Sequence, residues 1–378
     1  MFNLSAADGG VIVGVAVGLL SAGYLVRRYL TRTTPISSVH AGKKDTCQTK
    51  FDRNIVNARA RRLVGPPKID LSNLPAPNAE VLKIMQGITV ADVTRELNEF
   101  TGEADTKVKG QTVRITSRNS FHKLLEIAMQ KLEEEYAAIG LSTRRVKYTK
   151  QGRTLYSLEA EMPGLDRSKT CIVGSHLDST AGDTWRAENV APGADDDASG
   201  SRCNVIVARS LVALMKATGK KPAFNVRFVH FTGEEQGLWG SYVYSDMCAN
   251  NKENVYVYQM DMIAYCAKPG NRVDIHDDVN RNGSHVLVER LARTVARYNL
   301  SLTVNDTHDH AVRDRSDQAG FLDHGYMAVL ISEEFSDDGF NPNYHSTGDR
   351  VKNCNIPFMV ENIRMLFGTV ASDLGLDA

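Results

Sequence analysis

The sequence lacks any excess of charge of one sign, with 45 Lys and Arg against 45 Asp and Glu. A balanced chain has no global field with which to attract nucleic acid or a strongly acidic partner, so nucleic acid is not expected among its partners. Cysteine is sparse: Cys47, Cys171, Cys203, Cys248, Cys266 and Cys354 are scattered over 378 residues, and no two stand at C-x-x-C spacing. That excludes a cysteine-built zinc knuckle and offers no disulfide framework. Cys171 falls in an apolar strand pattern and Cys203 in a helix pattern, where cysteine acts as a small buried hydrophobe. Internal repeats and low-complexity tracts are absent as well. The hydrophobic share of 42 % suffices for an ordinary globular core.

Long apolar runs are also missing, with one exception. Val11–Val26 reads VIVGVAVGLLSAGYLV and is followed at once by Arg27, Arg28 and Arg32. Extended from Gly9 to Leu30, it reaches the roughly 20 residues that a bilayer crossing needs. No Lys or Arg precedes it, unlike the basic start of a typical signal peptide. Residues 1–32 therefore read as a single-pass membrane anchor, with a signal segment cut near Ala41 as the alternative. Residues 33–78 are basic, then proline-rich, and read as a linker. Residues 79–378 read as one domain, with a helical part over 79–150 and an α/β core over 151–378.

The stretch Ser117–Gly140 predicts a helix capped at Ser117 or Asn119, with Phe121, Leu124, Leu125, Ala128 and Leu132 on one face. Beyond it, strands and helices alternate. Strands are predicted over Thr154–Met162, Lys169–His176, Asn225–Thr232, Val255–Met262 and Ala328–Ser332. Helices are predicted over Ser199–Lys216, Gly237–Met247, Ser284–Leu300 and Ile356–Leu374. This alternation indicates an α/β fold: a doubly wound, mostly parallel mixed sheet with helices on both faces. Functional groups then belong at the carboxyl ends of the strands.

Those ends carry metal-capable residues. One strand closes in Ser175-His176-Leu177-Asp178, and a Gly-bounded acidic loop with Asp195-Asp196-Asp197 opens the next helix. Further on, Phe231-Thr232 runs into Glu234-Glu235, Met260 into Asp261, and Asn343-Tyr344 into His345. Buried clustered carboxylates take up protons unless a cation lies close by. No run of Lys or Arg sits in these motifs, so a metal pair is the economical partner. Taken alone, each motif has a plainer reading. His230 suits a satisfied structural histidine, His308 and His310 suit a solvated loop, and the triple Asp suits a helix cap. The conjunction of five strand ends favours the metal.

HLDS, APGADDDASG, TGEEQGLWGS, QMDM and NPNYHSTGD resemble, in this order, the successive motifs of metallopeptidase family twenty-eight, over about Leu155 to Leu374. The chain is most similar to the secreted bacterial leucyl aminopeptidases that use two zinc ions. The resemblance implies a zinc exopeptidase fold and two Zn²⁺ per chain, with residues 79–378 as the catalytic domain. His176 and Asp261 would hold one ion, Glu235 and His345 the other, and Asp196 would bridge them. Glu234 would be the general base for a metal-bridging hydroxide. Asp178 would accept a hydrogen bond from His176 and fix its tautomer. A cis peptide is implied at Asp196–Asp197. The implied substrates are peptides with a free N-terminus.

Met262, Phe335, Phe340 and Tyr344 flank the implied site, as does Ile331, and suggest an apolar pocket for the first side chain. Glu333 and Glu334 would instead favour a basic one. The family's oxyanion tyrosine has no counterpart in Ala311–Gln318, where Arg313 or Arg315, or else Tyr344, are the candidates. Gln318 also replaces a histidine of the family pattern. Competing readings are a glutaminyl cyclase or a carboxypeptidase on the same fold, and a catalytically inactive membrane-tethered scaffold. Oligomeric state is not indicated.

Overall fold

A computed structural model of the chain describes residues 69–278, 283–307, 312–336 and 338–378. The apolar segment of residues 1–32 and most of the linker lie outside the described residues, as do His308 and His310. Among the described residues no helix is long and apolar enough to cross a membrane.

Helix α1 (Ala79–Gly87) begins where the Asn78 side chain accepts from the backbone N–H groups of Glu80 and Val81. Helix α2 (Val90–Phe100) is capped in the same way by Thr89, which accepts from Asp92 N at 3.1 Å. A small hairpin, β1 (Thr106–Val108) and β2 (Gln111–Val113), leads to helix α3 (Leu124–Ala138). This helix starts seven residues later than the periodicity suggests. Residues 117–120 are instead held in extended contact with the rest of the chain, through a bridge from Ser117 to Ala191.

The main sheet follows, from β3 (Ser142–Lys150), β4 (Arg153–Met162), β5 (Asp166–His176), β6 (Phe224–Phe231), β7 (Asn254–Met260), β8 (Arg272–His276), β9 (Thr303–Thr307) and β10 (Met327–Ser332). Its order is β3-β4-β6-β5-β7-β10-β8-β9. The pairs β6–β5, β5–β7, β7–β10 and β8–β9 are parallel, while β3–β4, β4–β6 and β10–β8 are antiparallel. The helices between are α4 (Ala198–Thr218), α5 (Trp239–Asn250), α6 (His285–Tyr298), α7 (Gln318–Asp323) and α8 (Ile356–Asp373). This is the mixed, doubly wound sheet that the alternation predicts, with β3, β8 and β9 added at its flanks.

Period-two alternation divides the core between the two faces. Cys171 and Val173 of β5 join Val226 and Phe228 of β6 against the long helices α4 and α8. Ile172, Val229 and Phe231 point the other way, towards Tyr244 and Cys248 of α5 and Phe321 of α7. Arg293 and Arg297 of α6 donate to the carbonyls of Asp70 and Ala76, so the described end of the 33–78 stretch runs along this helix.

Topology places the site. From β5 the chain winds through α4 to β6 on one side, then crosses through α5 to β7 on the other. The winding direction reverses at β5, and a crevice opens outside the carboxyl ends of adjacent strands at such a reversal. His176 ends β5, Glu234 and Glu235 follow β6, Asp261 follows β7 and Glu333 follows β10.

Candidate metal centre

His176 is fully buried, and its Nε2 faces two carboxylates, Asp196 Oδ1 at 3.0 Å and Asp261 Oδ1 at 3.4 Å. Its Nδ1 lies 2.9 Å from the backbone carbonyl of Asp178. A carbonyl can only accept, so Nδ1 carries a proton, and once the imidazole is neutral the lone pair of Nε2 faces the crevice. The resemblance implies a bond to the Asp178 side chain; the structure has the Asp178 backbone carbonyl in that place. The Asp178 carboxylate stands 3.8 Å from Nδ1 and accepts instead from Ser120 Oγ and from the backbone N–H groups of Glu234 and Glu235.

Asp196 sits between two donor sets. Its Oδ1 faces His176, and its Oδ2 lies 3.1 Å from His345 Nε2. Glu235 Oε2 approaches the same His345 nitrogen at 2.9 Å. The Asp196–Asp197 peptide is cis, as the resemblance implies. Asp197 also has an oxygen within 4.8 Å of the ligand atoms of His176 and Asp261. Its carboxylate is already engaged, accepting from the N–H groups of His176, Gly200 and Met262. It acts as the cap of α4 and as a brace between β5 and β7. Asp349, whose role the sequence reading missed, accepts from the N–H groups of Asp195 and Asp196 at 3.0 Å each.

A glycine turn leads from β6 into Glu234 and Glu235. Gly233 has φ 69°, and a Cβ there would come 2.7 Å from Tyr148 Oη, so only glycine fits. Both glutamates are buried.

The electrostatics favour cations. Burial alone would hold His345 neutral, yet Glu235 and Asp196 outweigh it and push the imidazole up to about 9. His176 is likewise raised, against burial, chiefly by Asp261. Asp196 is driven below the usual carboxylate range by these two imidazoles despite its burial. Glu235 is raised by burial. Four buried atoms, His176 Nε2, both Glu235 carboxylate oxygens and Asp261 Oδ1, make no hydrogen bond. Buried polar atoms seldom go unsatisfied. Here they converge on one place with imidazole and carboxylate chemistry, which suits a zinc-type ion. Two such groups result, one around His176 and Asp261 and one formed by Asp196, Glu235 and His345. A third grouping joins Asp277 just after β8, Asp306 within β9 and His285 at the start of α6, at the carboxyl ends of strands that run antiparallel to β10.

Residues 158–370 match the model of peptidase family M28. The chain belongs to that family. It is a peptide hydrolase, and its M28 region spans β4 to α8. The probable leucine aminopeptidase of Arthroderma benhamiae is 26 % identical over 292 residues, covering 77 % of this chain and 75 % of that protein. A probable leucine aminopeptidase of Trichophyton verrucosum is 28 % identical over 246 residues, 65 % of each chain. In fold, the M28 chain is similar to the Legionella pneumophila LapA aminopeptidase, with TM-score 0.64 and 18 % identity over 83 % of this chain and 78 % of that one. It is also similar to the glutaminyl cyclase of Porphyromonas gingivalis, with TM-score 0.59 and 13 % identity over 75 % of this chain and 98 % of that one.

Three of the residues expected to line a pocket pack in series next to His345. Phe335, Phe340 and Tyr344 form an edge-to-face series with centroid spacings of 5.4 and 5.0 Å, and the Tyr344 ring stacks on His345 at 3.6 Å. Met262 has φ 57°, and its carbonyl accepts from Glu333 N. Neither acid expected to select a basic side chain is free to do so. Glu333 is fully buried and accepts from Asn341 N, while Glu334 pairs with Lys268 and Arg272. Arg313 pairs through Nε, Nη1 and Nη2 with Asp278, Asp314 and Asp323, which commits its charge to these carboxylates. His230 is the structural histidine expected, between Tyr136 Oη at 2.8 Å and the Ser175 and Ser201 hydroxyls.

Proposed function

We propose that the chain is a two-zinc aminopeptidase that removes the first residue from peptides, with a preference for apolar side chains. The observation that carries the proposal is the position of Asp196, one oxygen towards His176 and the other towards His345. A carboxylate shared by two imidazole–carboxylate sets is the arrangement that a pair of ions about 3.5–4 Å apart requires. His176, Asp196 and Asp261 would hold one zinc, and Asp196, Glu235 and His345 the other. Bound zinc supplies Lewis acidity, polarising a scissile carbonyl and acidifying water.

The protein's own part is proton management and positioning. Glu234 takes the proton of the attacking water and returns it to the leaving amine as the C–N bond breaks. The His176 tautomer, set by the Asp178 carbonyl, keeps Nε2 available throughout. Asp178 holds the Glu234–Glu235 turn by its two N–H groups and so acts on Glu234 through the backbone. The neutral free amine of a peptide N-terminus would also be a ligand for bound zinc, which an acylated nitrogen cannot be. Met262, Phe335, Phe340 and Tyr344 offer the first side chain an apolar, aromatic wall.

The leucine aminopeptidase relatives support this reading. The cyclase fold keeps a second one open, since N-terminal glutamine would enter the same crevice. Two donor sets favour hydrolysis, since a pair of ions is the arrangement suited to activating water. Leucine, N-acetyl-leucine and N-terminal glutamine peptide substrates separate the readings. Hydrolysis of the free leucine amide with two zinc ions per chain is expected. Equal cleavage of the acetylated form, or ring closure of glutamine without hydrolysis, would overturn it. The membrane anchor of residues 1–32 rests on the sequence, and quantitative recovery of the full chain without detergent would overturn that expectation.

A further inference from the structure

Segment 117–120 precedes the family-matched region, yet it threads between the loops that carry the metal-capable residues. Arg118 is fully buried. Its Nε donates to Leu177 O at 3.0 Å, next to His176. Its Nη1 donates to Pro192 O at 2.6 Å and its Nη2 to Gly193 O at 2.8 Å, four and three residues before Asp196. Gly193 has φ 51°, and a Cβ there would stand 3.0 Å from Nη2 and 2.2 Å from Asp196 O. Glycine therefore lets the guanidinium and the Asp196 backbone approach together. The main chain repeats the link, since Arg118 N donates to Ser179 Oγ and Ser179 N to Arg118 O. Ser120 Oγ completes it with a 2.7 Å bond to Asp178 Oδ2.

We propose that Arg118 is a positioning residue that clamps the His176 loop to the Asp196 loop, setting the spacing between donors of the two metal positions. The inference rests on the two-zinc reading above. A planar fork with five donors spans two loops at fixed geometry, which the single ammonium of lysine cannot do. Burial lowers the guanidinium to about 10, against the pull of Asp197, Asp349, Asp196 and Asp178, so it stays charged at neutral pH. This charge by itself opposes a further cation nearby. Geometry and charge thus predict opposite signs for its removal: a clamp predicts weaker zinc binding without Arg118, and a purely electrostatic role predicts tighter binding.

The test uses the full chain, stripped with chelator and titrated with zinc, then with cobalt, whose visible spectrum reports donor geometry. Circular dichroism verifies folding of each variant. Arg118→Met should bind zinc roughly 10- to 100-fold more weakly, the usual cost of losing a group that orients metal ligands. Arg118→Lys, which keeps the charge but not the fork, should also bind more weakly and alter the cobalt spectrum. Ser120→Ala, too small a change to unfold the chain, should lose affinity several-fold. Wild-type affinity and an unchanged spectrum in a folded Arg118 variant or in Ser120→Ala overturn the clamp, as does tighter binding. Absence of stoichiometric metal in the wild-type chain would instead overturn the two-zinc reading.

Discussion

At the scale of single residues, the centre assigns different work to chemically equal neighbours. Glu235 lies 2.9 Å from His345 Nε2, and Glu234 is the adjacent buried carboxylate proposed as the base. Glu235→Ala should lower activity through lost metal. Glu234→Ala and Glu234→Gln should keep both ions and lose kcat by about 10²–10⁴-fold, the usual contribution of a placed acid–base group. Turnover and metal content measured on the same samples decide this, and retention of both metals by Glu235→Ala with an active Glu234→Ala would reverse the two roles. His230 gives a pH dependence. Burial, helped by Arg202, depresses it to about 3, whereas an unfolded histidine titrates near 6.5. Between those values the unfolded chain binds the extra proton, so this residue's contribution is fully present above pH 6.5 and is lost as pH falls. At pH 5 the loss is about 2 kcal/mol. Urea unfolding of metal-stripped His230→Phe should show a shallower decline from pH 7 to 5 than the wild type, and parallel curves would refute the assignment.

At the scale of elements, the loops are precise because the elements beneath them approach closely. Gly200 in the first turn of α4 shows this. A Cβ there would stand 2.5 Å from Met260 O at the end of β7 and 2.6 Å from the Asp197 carboxylate. Intrinsic propensity favours alanine over glycine in a helix by about 1 kcal/mol. Close packing should reverse that sign, and Gly200→Ala should cost about 1–3 kcal/mol as α4 is forced off β7. Thermal unfolding reads the result, and an unchanged or higher Tm would refute the close approach. The peripheral elements use charge where the centre uses apolar contact. Arg144 of β3 pairs with the buried Glu159 of β4 through two bonds of 2.7 and 2.6 Å. An edge strand as polar as STRRVKYTK resists pairing with other chains.

At the scale of the whole molecule, the N-terminal helical part and the α/β part form one body. Arg202 of α4 is fully buried and donates to Glu96 of α2 and Glu135 of α3. Together with the residues around Arg118, this makes the site dependent on segments far apart in the chain. Metal binding should therefore stabilise the whole domain. A ligand at 100 times its Kd adds roughly 2.7 kcal/mol per site. Chelation should lower Tm by at least about 5 °C and zinc should restore it, and a Tm indifferent to chelator would argue against tight sites. The protons that His345 and His176 hold in the metal-free state must leave on binding, so zinc affinity should rise with pH up to about 9.

The sequence by itself determined the α/β alternation and the residues at each strand end. Those signals are local: apolar strands such as Cys171–Val173 are buried on both faces, and ligand-type residues follow them directly. It did not reveal β3, β8 or β9: β3 and β9 are mostly polar and ordered by pairing, and the apolar face of β8 is only Val273 and Ile275. Nor did it reveal the extended path of residues 117–120, where Arg118 and Ser120 find their partners about 60 to 75 residues away. The helical periodicity around Phe121 and Leu124 gave the wrong start for α3, because local pattern yields wherever distant carbonyls satisfy the backbone and side chains better. Only the tertiary structure decided that Asp196 faces two imidazoles while its neighbour Asp197 braces the fold. Three consecutive aspartates are equivalent in a sequence, and they become distinct when β5, α4 and β7 fix where each carboxylate can reach.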